Sequence, residues 1–201
     1  MSEHELDHHR IHDAALQLAA DHGWDGVALR DIARAAGVGL SALHAAYPGK
    51  QDIVRAHARR VDTRVLDELD PENLEEAARD RLFDVLMHRF DILQQNRAGV
   101  AAIVRSYRRD PGLALGGVMQ VRESMAAMLE AADISSSGCA GRIRRDGLVG
   151  VYLATLRVWL ADDSTDMSST MAALDRYLRR VEQPATMLEN LRTRDLGAMA
   201  A

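Results

Sequence analysis

"LRDIARAAGVGLSALHAAYPGK", Leu29 to Lys50, is the stretch whose reading decides the fold. Its first half sets Leu29, Ile32, Ala33 and Ala36 at helical spacing, and Gly37 follows as a stop. Its second half, "GLSALHAAY", predicts another short helix closed by Pro48 and Gly49. Two short helices separated by a glycine turn, braced by a longer helix before them, make a helix-turn-helix. Gly37 stands where the sharp turn needs a residue tolerant of positive φ. Val38 and Leu43 would pin the second short helix to a core, with Tyr47 closing it. Its outer face is then in position to enter a major groove.

The chain on either side also reads as helix. Upstream, "RIHDAALQLAADHG" places Ile11, Ala14, Ala15, Leu18 and Ala19 on one face, with Gly23 as a left-handed stop. Downstream, "KQDIVRAHARRVDTRVLDEL" carries a stripe of Ile53, Val54, Ala58, Val61, Val65, Leu66 and Leu69. A fifth helix is expected from Pro71 to about Asn96, and "RAGVAAIVRSYRR" as a sixth, stopped by Asp110-Pro111. Further helices are expected across "LGGVMQVRESMAAMLEAA", "AGRIRRDGLVGVYLATLRVWLA" and "MSSTMAALDRYLRRVE", with "DISSSG" and "DDSTD" as loops. No stretch alternates with period two, so the class is all-α.

Apolar residues make up 47% of the 201, enough for a folded core. Cys139 is the only cysteine, so no disulfide can form within the chain, and a reducing, cytoplasmic setting is expected. The start "MSEHELDHHR" has no apolar signal core, and the most apolar run is broken by Arg157 and too short to span a bilayer. A soluble protein with no integral membrane segment is expected. Net charge is −5, but its distribution is uneven. Residues 28–60 carry six basic side chains against Asp31 and Asp52; residues 61–84 carry three arginines against nine carboxylates. A basic module joined to an acidic body suits a phosphate-facing element, because attraction to DNA follows local charge. Arg30 and Lys50 flank the second short helix, good places to grip phosphates on either side of a groove.

Other chemistry is weakly supported. His4, His8 and His12 share a spacing of four, with His9 beside them, as two imidazoles on one metal ion would. No carboxylate pattern supports a metal, so an exposed polar lead-in to the first helix is expected. No nucleophile motif surrounds any serine, and neither an enzyme nor a cofactor is expected. "DDSTD" has the composition of a calcium loop but not its glycine or distal glutamate; capping of the last helix explains it better.

Residues from about Arg10 to Leu66 resemble the N-terminal domain of TetR-family transcriptional regulators. The resemblance rests on "AALQLAADHG", on Trp24 after Gly23, on "LRDIARAAGV" and on the aromatic and lysine of "YPGK". It implies a TetR-like fold: a helix-turn-helix DNA-binding domain over 1–50 (helix-turn-helix about 28–47), a helical ligand-binding and dimerisation domain over 51–183, and a tail over 184–201. It also implies a ligand-responsive regulator, a repressor, binding a pseudo-palindromic double-stranded operator as a homodimer. Lys50, the only lysine in the chain, falls where the family places a phosphate-contacting lysine. Arg30, Ser41, His44, Tyr47 and Lys50 are the expected contacts, with Gly39 at the helix start and Leu40 or Ala42 against thymine methyls. The departures cluster here. Gly39 stands where a hydroxyl is usual, and His44 where tyrosine is. No arginine or asparagine is present on this helix to read a purine bidentately.

A second resemblance covers "RDRLFDVLMHRFDILQQNRAGV" and "VYLATLRVWLADDSTDMSSTMAALDRYLRRVE", which look like the lipid-binding accessory proteins of ubiquinone biosynthesis. Its most specific part is Trp159, Asp162 to Asp166, Thr170, Met171, Leu174 and Asp175. It implies the alternative: a TetR-like fold that binds lipid or isoprenoid and does not read DNA. That family's C-terminal amphipathic helix would correspond to Met187, Leu188 and Leu191.

Phe83, Met87, Phe90, Tyr107, Met119, Met125 and Met128 are the candidates for a pliable apolar cavity holding a small apolar effector or lipid. The helix beyond Leu148 is apolar around much of its circumference. Tyr152, Leu153, Leu156 and Trp159, with Leu174, are therefore expected at a four-helix dimer interface.

Overall fold

The structure, a computed structural model, describes residues 7–68 and 75–181. Among them it contains no strand. The helices are α1 (His8–His22), α2 (Leu29–Ala36), α3 (Leu40–Ala46), α4 (Lys50–Asp67), α5 (Ala78–Gln94), α6 (Arg97–Tyr107), α7 (Pro111–Ala131), α8 (Gly138–Trp159) and α9 (168–181), with one 3₁₀ turn at Trp24–Gly26. The expected tail and its Met187, Leu188 and Leu191 lie outside the described residues, as does the expected start of the fifth helix at Pro71.

The helix starts follow local chemistry. Asp7 caps α1 by accepting from the backbone N–H of His9 and Arg10. Asp31 and Asp52 reach back from the first turns of α2 and α4 to the N–H of Ala28 (3.2 Å) and Gly49 (2.8 Å). Gly23 and Gly37 both take positive φ. Only Gly37 (φ 70°, ψ 30°) lies in the left-handed helical region, since Gly23 has ψ 144°. The N–H of Val38 closes the turn onto Ala33 O at 3.0 Å. Asp110-Pro111, expected to stop α6, instead starts α7. Proline needs no N–H partner in a first turn, and Asp110 Oδ1 accepts from Gly112 and Leu113 N–H.

Contacts gather the described residues into two compact units, one from 7–68 and 88–124, the other from 75–87 and 125–181. In the first, α1 packs against α2, α4 and, most extensively, α6. Ile11, Leu16, Trp24, Ile32, Leu43, Ile53 and Ile103 form the centre of its core. Gly99 makes the α1–α6 approach possible: a Cβ there would lie 2.4 Å from Leu16 O. A buried ion pair joins α4 and α5, Arg89 Nη2 to Asp62 Oδ1 at 3.0 Å, and Ser124 Oγ donates to Asp62 Oδ2 at 2.6 Å. In the second unit, Trp159, Leu174, Met125 and Met128 are fully buried, and Arg81 Nε donates to Ala132 O at the end of α7.

Asp162 organises the loop before α9. It accepts from Thr170 N–H (2.8 Å), Thr170 Oγ1 (2.7 Å) and Ser164 N–H (3.1 Å). These bonds hold its carboxyl well below the ordinary carboxylate range, the Ser164 and Thr170 hydroxyls contributing most. "DDSTD" is thus a capping cluster, as its composition predicts.

Candidate nucleic-acid interface

Helix α3 is held from beneath by Leu43, which is fully buried, and closes on Tyr47, whose N–H donates to Leu43 O at 2.8 Å. The other side chains of its first turns point away. Gly39, Leu40, Ser41, Ala42 and His44 are all exposed, Leu40 to 49% despite its apolar side chain. Arg30 on α2 is exposed beside them. Six of the eight expected DNA contacts are therefore exposed on the helix-turn-helix.

The other two are placed differently. Tyr47 is buried, not outward. Its hydroxyl lies 2.6 Å from His8 Nδ1 and 3.2 Å from His12 Nε2. One hydroxyl donates once, so it donates to one imidazole and accepts from the N–H of the other. Lys50 does not extend outward either. Its ammonium donates to Trp24 O at 2.7 Å and Val27 O at 3.0 Å and sits 5.1 Å from the centre of the Trp24 ring. Burial lowers its pKa from the ordinary lysine value, partly offset by Asp25. Lys50 fastens the turn that leads into α2, the helix carrying Arg30.

Arg34 is another of the six basic side chains of residues 28–60. Its side chain is 81% exposed on α2, 4.0 Å from Asp31 Oδ1, while Arg30 Nε lies 3.8 Å from the same oxygen. Ion pairs this long and exposed contribute little and leave both guanidinium groups able to turn to phosphate.

The histidine-rich lead-in is only partly exposed. His8 and His9 are exposed, but His12 is buried and meets His57 of α4 edge to face, ring centres 6.0 Å apart. Burial, Arg60 and the neighbouring histidines lower the His12 pKa to about 4. Burial, His12, Arg60 and Arg89 do the same to His57, also to about 4. Both rings are neutral near pH 7.

The residues expected in an apolar cavity differ in exposure. Phe90, Met125 and Met128 are fully buried, Met87 nearly so, Phe83 and Tyr107 half-buried and Met119 exposed. The residues expected at a dimer interface also differ in exposure. Tyr152, Leu156, Trp159 and Leu174 are buried within the single chain and have little surface left for a partner. Leu153 is half-buried, and Ile143 on the same helix is 75% exposed.

Residues 11–57 match the family model for Bacterial regulatory proteins, tetR family, and residues 118–184 match that for COQ9. Over 51 residues the chain is 53% identical to the HTH-type transcriptional repressor LfrR of Mycolicibacterium smegmatis, which is 25% of this chain and 26% of that protein. The chain thus spans about a quarter of the length of that curated relative. The fold matches a TetR transcriptional regulator from Nitrosomonas europaea (TM-score 0.71, 26% identity, 86% of this chain and 96% of the other). It also matches one from Rhodococcus sp. RHA1 (TM-score 0.56, 21% identity, 88% and 97%) and FadR of Bacillus subtilis, solved with stearoyl-CoA (TM-score 0.52, 18% identity, 85% and 95%). The N-terminal segment is thus similar to a TetR-family helix-turn-helix, the C-terminal region is COQ9-like, and the fold is that of TetR regulators of known structure. No helix among the described residues is long and apolar enough to cross a membrane.

Proposed function

We propose that this protein is a DNA-binding transcriptional regulator, a repressor, that binds a two-fold operator as a homodimer and releases it on binding a small apolar effector. The observation that carries the reading is the outward face of α3, Leu40, Ser41, Ala42 and His44, flanked by Arg30 and Arg34. Ser41 and His44 are the donors able to reach base edges, and Leu40 and Ala42 fit thymine methyls. This set gives weak base discrimination, so phosphate contacts and DNA shape carry more of the recognition than in a helix with arginine or asparagine. Dimerisation would use the face of α8 that carries Ile143 and Leu153. A cytoplasmic setting fits this work. The apolar effector is supported by FadR, a protein of the same fold solved with an acyl-CoA. A mobility-shift assay on the chromosomal region upstream of the protein's own gene, with fatty acyl-CoA added to one series, tests it. A shift that the acyl-CoA reverses is expected, and no shift refutes it.

A second reading has an observation of its own: the COQ9 match over residues 118–184. It makes the protein a lipid- or isoprenoid-binding accessory protein of ubiquinone biosynthesis, with α3 as a remnant. Mass spectrometry of the purified protein separates the two, since a stoichiometric isoprenoid quinone or its precursor, without duplex binding, belongs only to this reading.

A further inference from the structure

A cleft of about 290 Å³ opens in the first unit, and none of the residues expected in an apolar cavity lines it. His57, Arg60 and Arg64 line it from α4, Asp13 from α1, and Gln95 and Asn96 from the junction of α5 with α6. Two guanidinium groups face one carboxylate, so the lining carries an excess of positive charge. The arginines are loosely held. Arg60 Nη1 is 3.9 Å from Asp13 Oδ1, beyond hydrogen-bond range. Arg64 donates through Nε to Glu68 (3.3 Å) and through Nη1 to Gln95 (3.1 Å), which leaves its Nη2 without a bond among the described residues. Asn96 begins α6 without a side-chain cap bond. Both ring nitrogens of His57 are buried and have no hydrogen-bond partner among the described residues. Buried polar groups without a protein partner are ones that a ligand or an ordered water can satisfy.

Guanidinium donors beside a polar cleft are suited to one ligand chemistry, a planar or tetrahedral oxyanion. We propose that this cleft binds a small molecule through a single carboxylate or phosphate group held by Arg60 and Arg64. The volume leaves room for a short polar body beyond that group. The site does not depend on the DNA-binding reading. It is also close to α3 in steps of contact: His57 meets His12, and His12 bonds to Tyr47 at the end of α3. Occupancy would fix the α1–α4 pairing that supports the recognition helix.

The test uses the full chain without DNA, so failure of the regulator reading leaves its result intact. The protein is titrated with inorganic phosphate and, separately, with acetate, each against sodium chloride of equal ionic strength. Calorimetry follows binding, and the NMR signals of the histidine rings report its place. One-site saturable binding near 1 mM or tighter is expected for one of the two anions, which identifies the head group. The Arg60→Ala/Arg64→Ala variant should bind at least tenfold more weakly, and the His57 ring signals should move on saturation while those of His44 stay. If the variant does not fold, the wild-type ring signals decide. Neither anion exceeding chloride, a folded variant binding like wild type, or saturation with unmoved His57 signals would each overturn the proposal.

Discussion

Tyr47, the residue that closes α3, is hydrogen-bonded at 3.2 Å to the buried imidazole of His12 on α1. The bond ties the reading element to the helix that braces it, and its loss strands a buried ring nitrogen. Tyr47→Phe keeps the packing and removes only the hydroxyl. It should lower the unfolding free energy by about 1–3 kcal/mol, the usual cost of an unsatisfied buried polar group. Urea denaturation measures this, and an unchanged midpoint would contradict it.

Lys50→Met separates two roles that the sequence cannot tell apart. If the ammonium serves the carbonyls of Trp24 and Val27, the variant should lose about 2 kcal/mol of stability, because hydrogen bonds to charged groups contribute about 1.5–3 kcal/mol. A variant of wild-type stability with weakened duplex binding would make Lys50 a phosphate contact instead.

The histidine pair sets a pH dependence. His12 and His57 both have folded-state pKa values lowered to about 4, below the ordinary value of 6.5, so between those values the unfolded chain binds more protons. Stability should therefore be complete above pH 6.5 and fall as pH drops towards 4. Carboxylates such as Asp162 add their own loss only at lower pH, since its lowered pKa makes its contribution fade below the ordinary carboxylate range. Denaturation midpoints across pH 7 to 4.5 should fall for wild type and fall less for His57→Gln. Parallel curves for the two proteins would count against the buried neutral pair.

Gly99→Ala should be among the most damaging small substitutions. The added Cβ would lie 2.4 Å from a backbone oxygen of α1, which cannot swing aside as a side chain does. Over-packing of this kind costs about 1–3 kcal/mol or more. Loss of thermal stability by several degrees is expected in a calorimetric scan, and a neutral result would show that α1 and α6 are less tightly apposed.

The helix-turn-helix was legible because its signals are local: a glycine at the turn, apolar residues at period 3.6, and Pro48 and Gly49 closing the second short helix. What the sequence hid depends on contacts distant along the chain. Tyr47 and Lys50 read as outward-facing because they follow or flank a recognition helix; their directions are set by His8, His12, Trp24 and Val27, 20 to 40 residues away. The four-residue histidine spacing marks one face of α1, yet nothing local shows that His57 and Tyr47 cover His12. Tyr152, Leu156 and Trp159 announce a helix buried on several sides, but periodicity does not tell a partner in the same chain from one in another. Proline at 111 reads as a stop because a breaker and a first-turn residue look alike in sequence.

The salt dependence of duplex binding tests the central claim most directly. Wild type and Arg30→Ala/Arg34→Ala are titrated with the upstream duplex and with a random duplex of equal length, from 50 to 300 mM salt. For wild type, log affinity should fall linearly with log salt, and removal of two phosphate contacts should flatten the slope by about 1.8, since each contact contributes about 0.9. The upstream duplex should bind more tightly than the random one, and His44→Ala should narrow that gap. No binding of wild type to either duplex at the lowest salt would contradict the account.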